Sequence, residues 1–157
     1  MSGLTFKVIK SKSLMPAIRK AFQDYEVTAG IHQDAGKHGN SNESVAQVAA
    51  YNEYGTATAP ERPAFRASFF KNRKKYIAML VKIARSGMKG QKLRPSAFDS
   101  LGKVAQKDIE QSIARGGWVA NALSTQISKG KGKQLINDPL IDTGQMIDSV
   151  GYKVKKK

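Results

Sequence analysis

The chain has no cysteine. That excludes a disulfide framework, a thiolate-ligated zinc or iron–sulfur centre and any thiol redox chemistry, and it suits a reducing compartment. Acidic residues are scarce: 12 Asp and Glu stand against 27 Lys and Arg, a formal charge of +15 over 157 residues. Carboxylates so few and scattered offer no close pair tied to a nucleophile or base, which general acid–base chemistry needs. Long apolar runs are missing as well. YIAMLVKIA, from Tyr76 to Ala84, is interrupted by Lys82 and falls far short of the roughly 20 residues of a membrane span. No charged n-region followed by an apolar h-region opens the sequence, so no secretory signal is expected. These absences lead to the expectation of a soluble cytoplasmic protein that is not an enzyme, holds no cofactor or metal and contacts no membrane.

What is present is one core's worth of apolar residues, 40% of the chain, and a concentrated surplus of cations. A length of this order buries a single core, so one domain over 1–157 is expected. Between Glu61 and Arg94 stand eleven basic residues and one acid, which places two thirds of the excess charge in that stretch. An imbalance of this size calls for a polyanion as neighbour.

The periodicities predict an α+β fold: a small mixed or antiparallel sheet of about three to four strands, packed with one long and several shorter helices. Leu4, Phe6 and Val8 alternate as a first strand over 4–9, and Val27 to His32 forms another. Leu14, Ile18 and Phe22 repeat at helical spacing between them. The stretch 33–42, almost without apolar residues, predicts a mobile loop, as do the glycines and lysines of 128–138. Ser44 and Gln47 form a capping box before a helix that Gly55 ends in a left-handed conformation. Pro63 opens the longest helix, which Gly87 is expected to stop.

At about 100° per residue, Phe65, Phe69, Tyr76, Leu80 and Ile83 fall on one side of that helix, and Lys71, Lys75, Lys82, Arg85 and Lys89 fall nearly opposite. Phe70, Ile77, Val81 and Ala84 widen the apolar arc beyond one core contact, which predicts contact with another chain. A further helix is expected from an N-cap at Ser96, with Asp99 in its first turn, to Arg115, burying Phe98, Leu101, Ala105, Ile109 and Ile113. A short helix follows at 121–128. Asp142 is expected to cap a last short helix with Gln145 at its third position, before a final strand turns Val150, Tyr152 and Val154 inward.

Several patterns that resemble chemistry are weak. His32, Asp34 and His38 sit in a glycine-rich loop with nothing to fix them on one face, so no metal site is expected. Ser68 and Lys71 share the Ser-x-x-Lys spacing of some acyl-transfer enzymes without either companion motif. AGKHGN and SKGKGKQ lack the spacing of a phosphate loop. The cations stacked along the long helix have no acidic i,i+4 partners, and no aromatic residues interleave them. This favours contact with a nucleic-acid backbone over stacking on single strands. Trp118, after two glycines, is either a core plug or an interface anchor.

Taken in order, VTAGIHQDAG, SVAQVAAYNEYGT, ERPAFRASFF and PLIDTGQMIDSVGYKV resemble the virion-morphogenesis or neck proteins of long-tailed phages, also called tail-completion or head–tail connector proteins. The resemblance covers residues 25–154. It departs at Ala64, where a bulkier residue is common, and near Asn121, where a Leu-Pro-Thr stretch is common. It implies a non-enzymatic α+β virion protein, assembled in the host cytoplasm. Such a protein forms a homo-oligomeric ring, six-fold or twelve-fold, between the portal and adaptor and the tail terminator or tail tube, around the channel for double-stranded DNA. The ring would hold that DNA nonspecifically, with either the stripe of Lys71, Lys75, Lys82, Arg85, Lys89 and Lys92 or the tail of Lys155, Lys156 and Lys157 facing it. Tyr54, Phe70, Ile77, Val81 and Trp118 are the candidates for subunit or partner contact. One rival is a stand-alone, non-sequence-specific double-stranded DNA-binding protein. Another is a hydrolase using His32, Asp34 and His38.

Overall fold

The computed structural model describes residues 25–39, 42–89 and 93–156. The expected strand over 4–9 and the helix carrying Leu14, Ile18 and Phe22 lie outside them, as do Lys92 and Lys157. Among the described residues the elements run β1 (Tyr25–Ile31), α1 (Val45–Tyr54), α2 (Ala64–Met88), α3 (Pro95–Arg115), α4 (Leu123–Lys129), α5 (Gln145–Asp148) and β2 (Val150–Lys156). Helix and sheet are mixed, as the periodicities predict. The described sheet has two strands instead of three or four, with β1 antiparallel to β2. Its register pairs Ile31 with Val150, Ala29 with Tyr152 and Val27 with Val154.

α3 is the central element. Phe98, Leu101, Ala105, Ile109 and Ile113 are all buried, so the i, i+3, i+4 pattern is realised in full, and each large member stabilises by roughly 1.5–3 kcal/mol. α3 packs on α2 along one side and on both strands along the other. Where β2 crosses it, the Tyr152 ring occupies the space a Cβ at Gly102 would need. The core continues through Val45 and Ala49 of α1, Ala64 of α2, Met146 of α5 and Val150 of β2. At the other end of β1, the Tyr25 ring meets Phe98 at 4.9 Å between centroids, and its hydroxyl donates to the Leu93 carbonyl at 3.0 Å.

The capping box forms as read: the Gln47 N–H donates to Ser44 Oγ at 3.2 Å, and the Ser44 N–H to Gln47 Oε1 at 2.8 Å. Gly55 ends α1 with φ +74°, but its ψ of 173° is extended, not left-handed helical.

Other terminal residues act differently. Pro63 stands at the N-cap of α2 without a side-chain bond, and α2 runs past Gly87 to Met88. The Leu93 side chain packs against Gly87, and the Lys89 N–H closes the last turn on the Arg85 carbonyl at 3.2 Å. In α3, Pro95 takes the first helical position, where a missing N–H is harmless. Ser96 is therefore inside the helix instead of capping it, and Asp99 lies beyond the first turn.

Asp142 does not cap α5 either. Gly144, with φ +82°, holds that position, and Gln145 is the first helical residue instead of the third. The Gln145 amide reaches back to the loop before α1, donating to the Lys37 carbonyl at 2.8 Å and accepting the Gly39 N–H at 2.9 Å. The described part of that loop also carries a 3-10 turn at Gln33–Ala35 and a bridge between Lys37 and Ser44.

Candidate nucleic-acid and partner interface

α2 spans about 37 Å at ~1.5 Å per residue, and its faces divide differently from the expected pattern. Its buried residues are small: Ala64, Ser68 and Ala84. They let α2 approach α3 closely, and this pushes the larger side chains to the flanks. Phe65, Tyr76, Leu80 and Ile83 are half-buried, whereas Phe69 is exposed and meets Tyr76 edge-on with centroids 6.0 Å apart. Ala84, read as part of the spare arc, belongs to the core. The rest of that arc is uncovered: Phe70 is 75% exposed and Ile77 57%, with Val81, Met88 and, on α1, Tyr54 also open.

The start of α2 is held by residues that periodicity does not reveal. Glu53, at the end of α1, is 5% exposed. Its carboxylate accepts the N–H groups of Phe65 at 3.0 Å and Arg66 at 2.9 Å, doing for α2 what no residue at Pro63 can. Arg66 folds over it, with Nε 3.0 Å from Glu53 Oε1 and Nη2 3.1 Å from Glu61, and these two carboxylates raise the Arg66 pKa. Arg62 is buried and donates from Nε to the Val119 carbonyl at 2.8 Å and from Nη2 to the Ala120 carbonyl at 3.1 Å. Desolvation lowers its pKa. Two of the eleven cations between Glu61 and Arg94 are therefore structural clamps. The NEYGT and ERPAFR sequences offered the signal: two acids, Glu53 and Glu61, and two arginines, Arg62 and Arg66, around a Gly–Pro turn.

Of the candidate DNA-facing residues, Lys71, Lys82 and Arg85 on α2 and Lys89 at its C-cap are exposed and meet no carboxylate among the described residues. Lys75 stands apart from them. Its Nζ lies 2.6 Å from Asp108 Oδ2 on α3, which also accepts the Tyr76 hydroxyl at 2.8 Å. Burial, and then that hydrogen bond, push the Tyr76 phenol well above its ordinary range. Lys71 and Lys75 line a cleft of about 420 Å³ between α2 and α3 whose rim also carries Arg115, a cation the α2 stripe did not include. Lys155 and Lys156 end β2 and are exposed.

Trp118 is half-buried, with one part of its ring on the core and another lining the cleft beside Lys71 and Lys75. Its indole packs on the core cluster, and Nε1 donates to the Ser112 carbonyl at 3.0 Å. It folds back over the end of α3 into the space that a side chain at Gly116 would fill.

His32, Asp34 and His38 are not brought together as a site. Asp34 pairs with Lys153 at 2.6 Å, while His38 lines a different cleft with Arg62 and Asn121. Among the described residues, no three His, Cys, Asp or Glu side chains converge as metal ligands. Ser68 is buried and Lys71 exposed, so the Ser-x-x-Lys pair does not present a nucleophile. No helix among the described residues is long and apolar enough to cross a membrane.

Compared with family models, with curated proteins and with solved structures, the chain gives no match.

Proposed function

We propose that the chain is a non-enzymatic structural protein of a tailed-phage neck, one subunit of a six-fold or twelve-fold ring that joins the head connector to the tail around the DNA channel. The observation that carries this reading is a single helix with two unlike uncovered surfaces. Along α2 and at its C-cap, Lys71, Lys82, Arg85 and Lys89, which meet no carboxylate among the described residues, run beside the exposed row of Phe70, Ile77, Val81 and Met88. One surface suits phosphate and the other suits protein. The ordered motif resemblance over 25–154 supports the same reading.

In a ring, one helix face from every subunit repeats around the axis, so a few cations per chain add up to a positive lumen that grips duplex DNA without reading its sequence. Lys155 and Lys156, exposed on β2 where it pairs with the start of β1, supply the alternative lumen surface. Subunit contacts in a ring are heterologous and need two different patches per chain. Among the described residues, Val119, Leu123, Ile127 and Leu135 form an exposed apolar group away from the α2 row that is available for one of them. Portal or adaptor and tail terminator or tube proteins are the proposed neighbours, and the virion neck the proposed location.

Light scattering tests the reading, because one chain weighs 17.1 kDa. A closed assembly several times that mass, alone or with duplex DNA and neck partners, is expected, and electron microscopy of a particle containing the chain should place it as a ring at the neck. A monomer or dimer that binds duplex tightly and never enters a particle would replace the reading with the stand-alone DNA-binding protein.

A further inference from the structure

Phe70, Lys74, Ile77, Val81, Ala84 and Met88 follow one another along α2 at steps of four and three residues. That is the spacing of a coiled-coil seam, sustained over about 27 Å. Four of the six are exposed apolar side chains, Ala84 is buried, and Lys74 is the polar exception. The positions flanking such a seam set partner choice through charge. Here they include Lys71 and Arg85 on one side and Arg73 on the other. None of these, nor Lys74, meets a carboxylate among the described residues. The Arg73 guanidinium instead lies 5.6 Å from the Phe70 ring centre. At its N-terminal end the row opens into an apolar groove of about 730 Å³ between α2, α1 and β1, lined by Phe69, Phe70, Tyr54, Ala50 and Gly30.

We infer that this row is the docking surface for an amphipathic helix of another protein, one with apolar residues at heptad spacing and Asp or Glu on both flanks. Charge complementarity selects that occupant. A second copy using the same row would set Arg73, Lys74 and Arg85 against their equivalents. Another exposed apolar group among the described residues, Val119, Leu123, Ile127 and Leu135, has the exposed cations Lys131 and Lys133 beside it and repeats the conflict. Duplex DNA would satisfy the flanking cations but leave the apolar row facing phosphate and water. An acidic-flanked helix satisfies both, burying the row in a helix-in-groove contact while each flank gains opposite charge. This does not rest on the ring reading, since a stand-alone DNA-binding protein could carry the same surface.

The test uses the full chain and a fluorescent helical peptide of about 21 residues with Leu at the seam and Glu at the flanks. Two controls accompany it: the same peptide with Lys at the flanks, and a scrambled peptide of identical composition. In roughly 0.15 M salt, the Glu peptide should bind about tenfold or more tighter than either control. Ile77→Ser, or Phe70→Ser as a second variant, should weaken it about fivefold or more. The double variant R73E/R85E should reverse the preference toward the Lys peptide.

Equal binding of the ordered and scrambled Glu peptides would reduce the effect to bulk charge and overturn the inference. So would a wild-type oligomer that Ile77→Ser dissolves to 17.1 kDa chains, which would assign the row to a second copy. A loss of duplex DNA affinity in Ile77→Ser as large as the peptide loss would assign it to DNA. Ring formation on its own neither supports nor opposes the docking site, so the two readings fail separately.

Discussion

Tyr152 of β2 lies against α3 at the one place where α3 has no side chain: a Cβ on Gly102 would run into its ring. This contact sets how closely the strand pair approaches the central helix. Gly102→Ala gains helix propensity of roughly 1 kcal/mol but forces the ring and strand outward. We expect a net loss of about 1–3 kcal/mol in urea unfolding, and Tyr152→Leu in the same background should recover part of it. A Gly102→Ala chain more stable than wild type would show that the approach is not tight.

Glu53 carries the start of α2. Replacing the buried carboxylate by its amide keeps its shape but weakens the bonds from the Phe65 and Arg66 N–H groups and removes the ion pair with Arg66. Glu53→Gln should cost about 1–3 kcal/mol and Glu53→Ala more, because Ala leaves the helix N–H groups unsatisfied. Denaturant midpoints measure both, and hydrogen exchange should show the first turn of α2 losing protection before α3 does.

The cations of α2 should separate by salt titration of duplex DNA binding. Lys82 meets no carboxylate among the described residues, so Lys82→Ala should lower the slope of log affinity against log salt by about 1, the value for one lost phosphate contact. Lys75 is already matched by Asp108. Lys75→Ala should leave that slope nearly unchanged while lowering stability. Equal slopes for Lys82→Ala and wild type would move the DNA contact off this helix, toward Lys155 and Lys156.

Acid should destabilise the chain in two separate steps. His32 has its pKa lowered from 6.5, by desolvation first and then by Lys153, so the folded state favours the neutral ring. Its contribution is present above the unfolded pKa and is lost as pH falls from about 6.5 toward the lower folded value. Asp34 has its pKa lowered from 3.8 by the hydrogen bond from Lys153, so its contribution persists to lower pH and fades below that range. Thermal midpoints between pH 7 and 5 should fall for wild type and flatten in His32→Gln. A wild-type profile rising toward pH 5 would contradict the assignment.

Local signals were legible wherever the deciding partner is close along the chain. Ser44 and Gln47, three residues apart, form the capping box they spell, and the buried stripe of α3 needs only its own periodicity. Alternation placed Val150, Tyr152 and Val154 in a final strand, but its antiparallel pairing with β1 is a long-range contact that alternation does not specify. Periodicity misjudged α2 because it ranks side chains by hydrophobicity. Close helix packing instead selected Ala64, Ser68 and Ala84 for the contact and left Phe69 and Phe70 outside. Ser96 and Asp142 each have a capping side chain, but Pro95 and Gly144 impose backbone geometry that places the helix start elsewhere.

The chain's composition and order of residues determined its unbalanced charge, the concentration of that charge on one long helix, and the apolar arc beside it, since all three are counts along a regular spiral. The tertiary structure decided which charges are free. Lys75 is matched because α3 carries Asp108 alongside it, Arg62 is spent on the carbonyls of Val119 and Ala120, and Trp118 is folded inward by the gap at Gly116. The reason is distance. A residue's neighbours within a helical turn are set by spacing alone, whereas neighbours dozens of residues away exist only once the helices have packed.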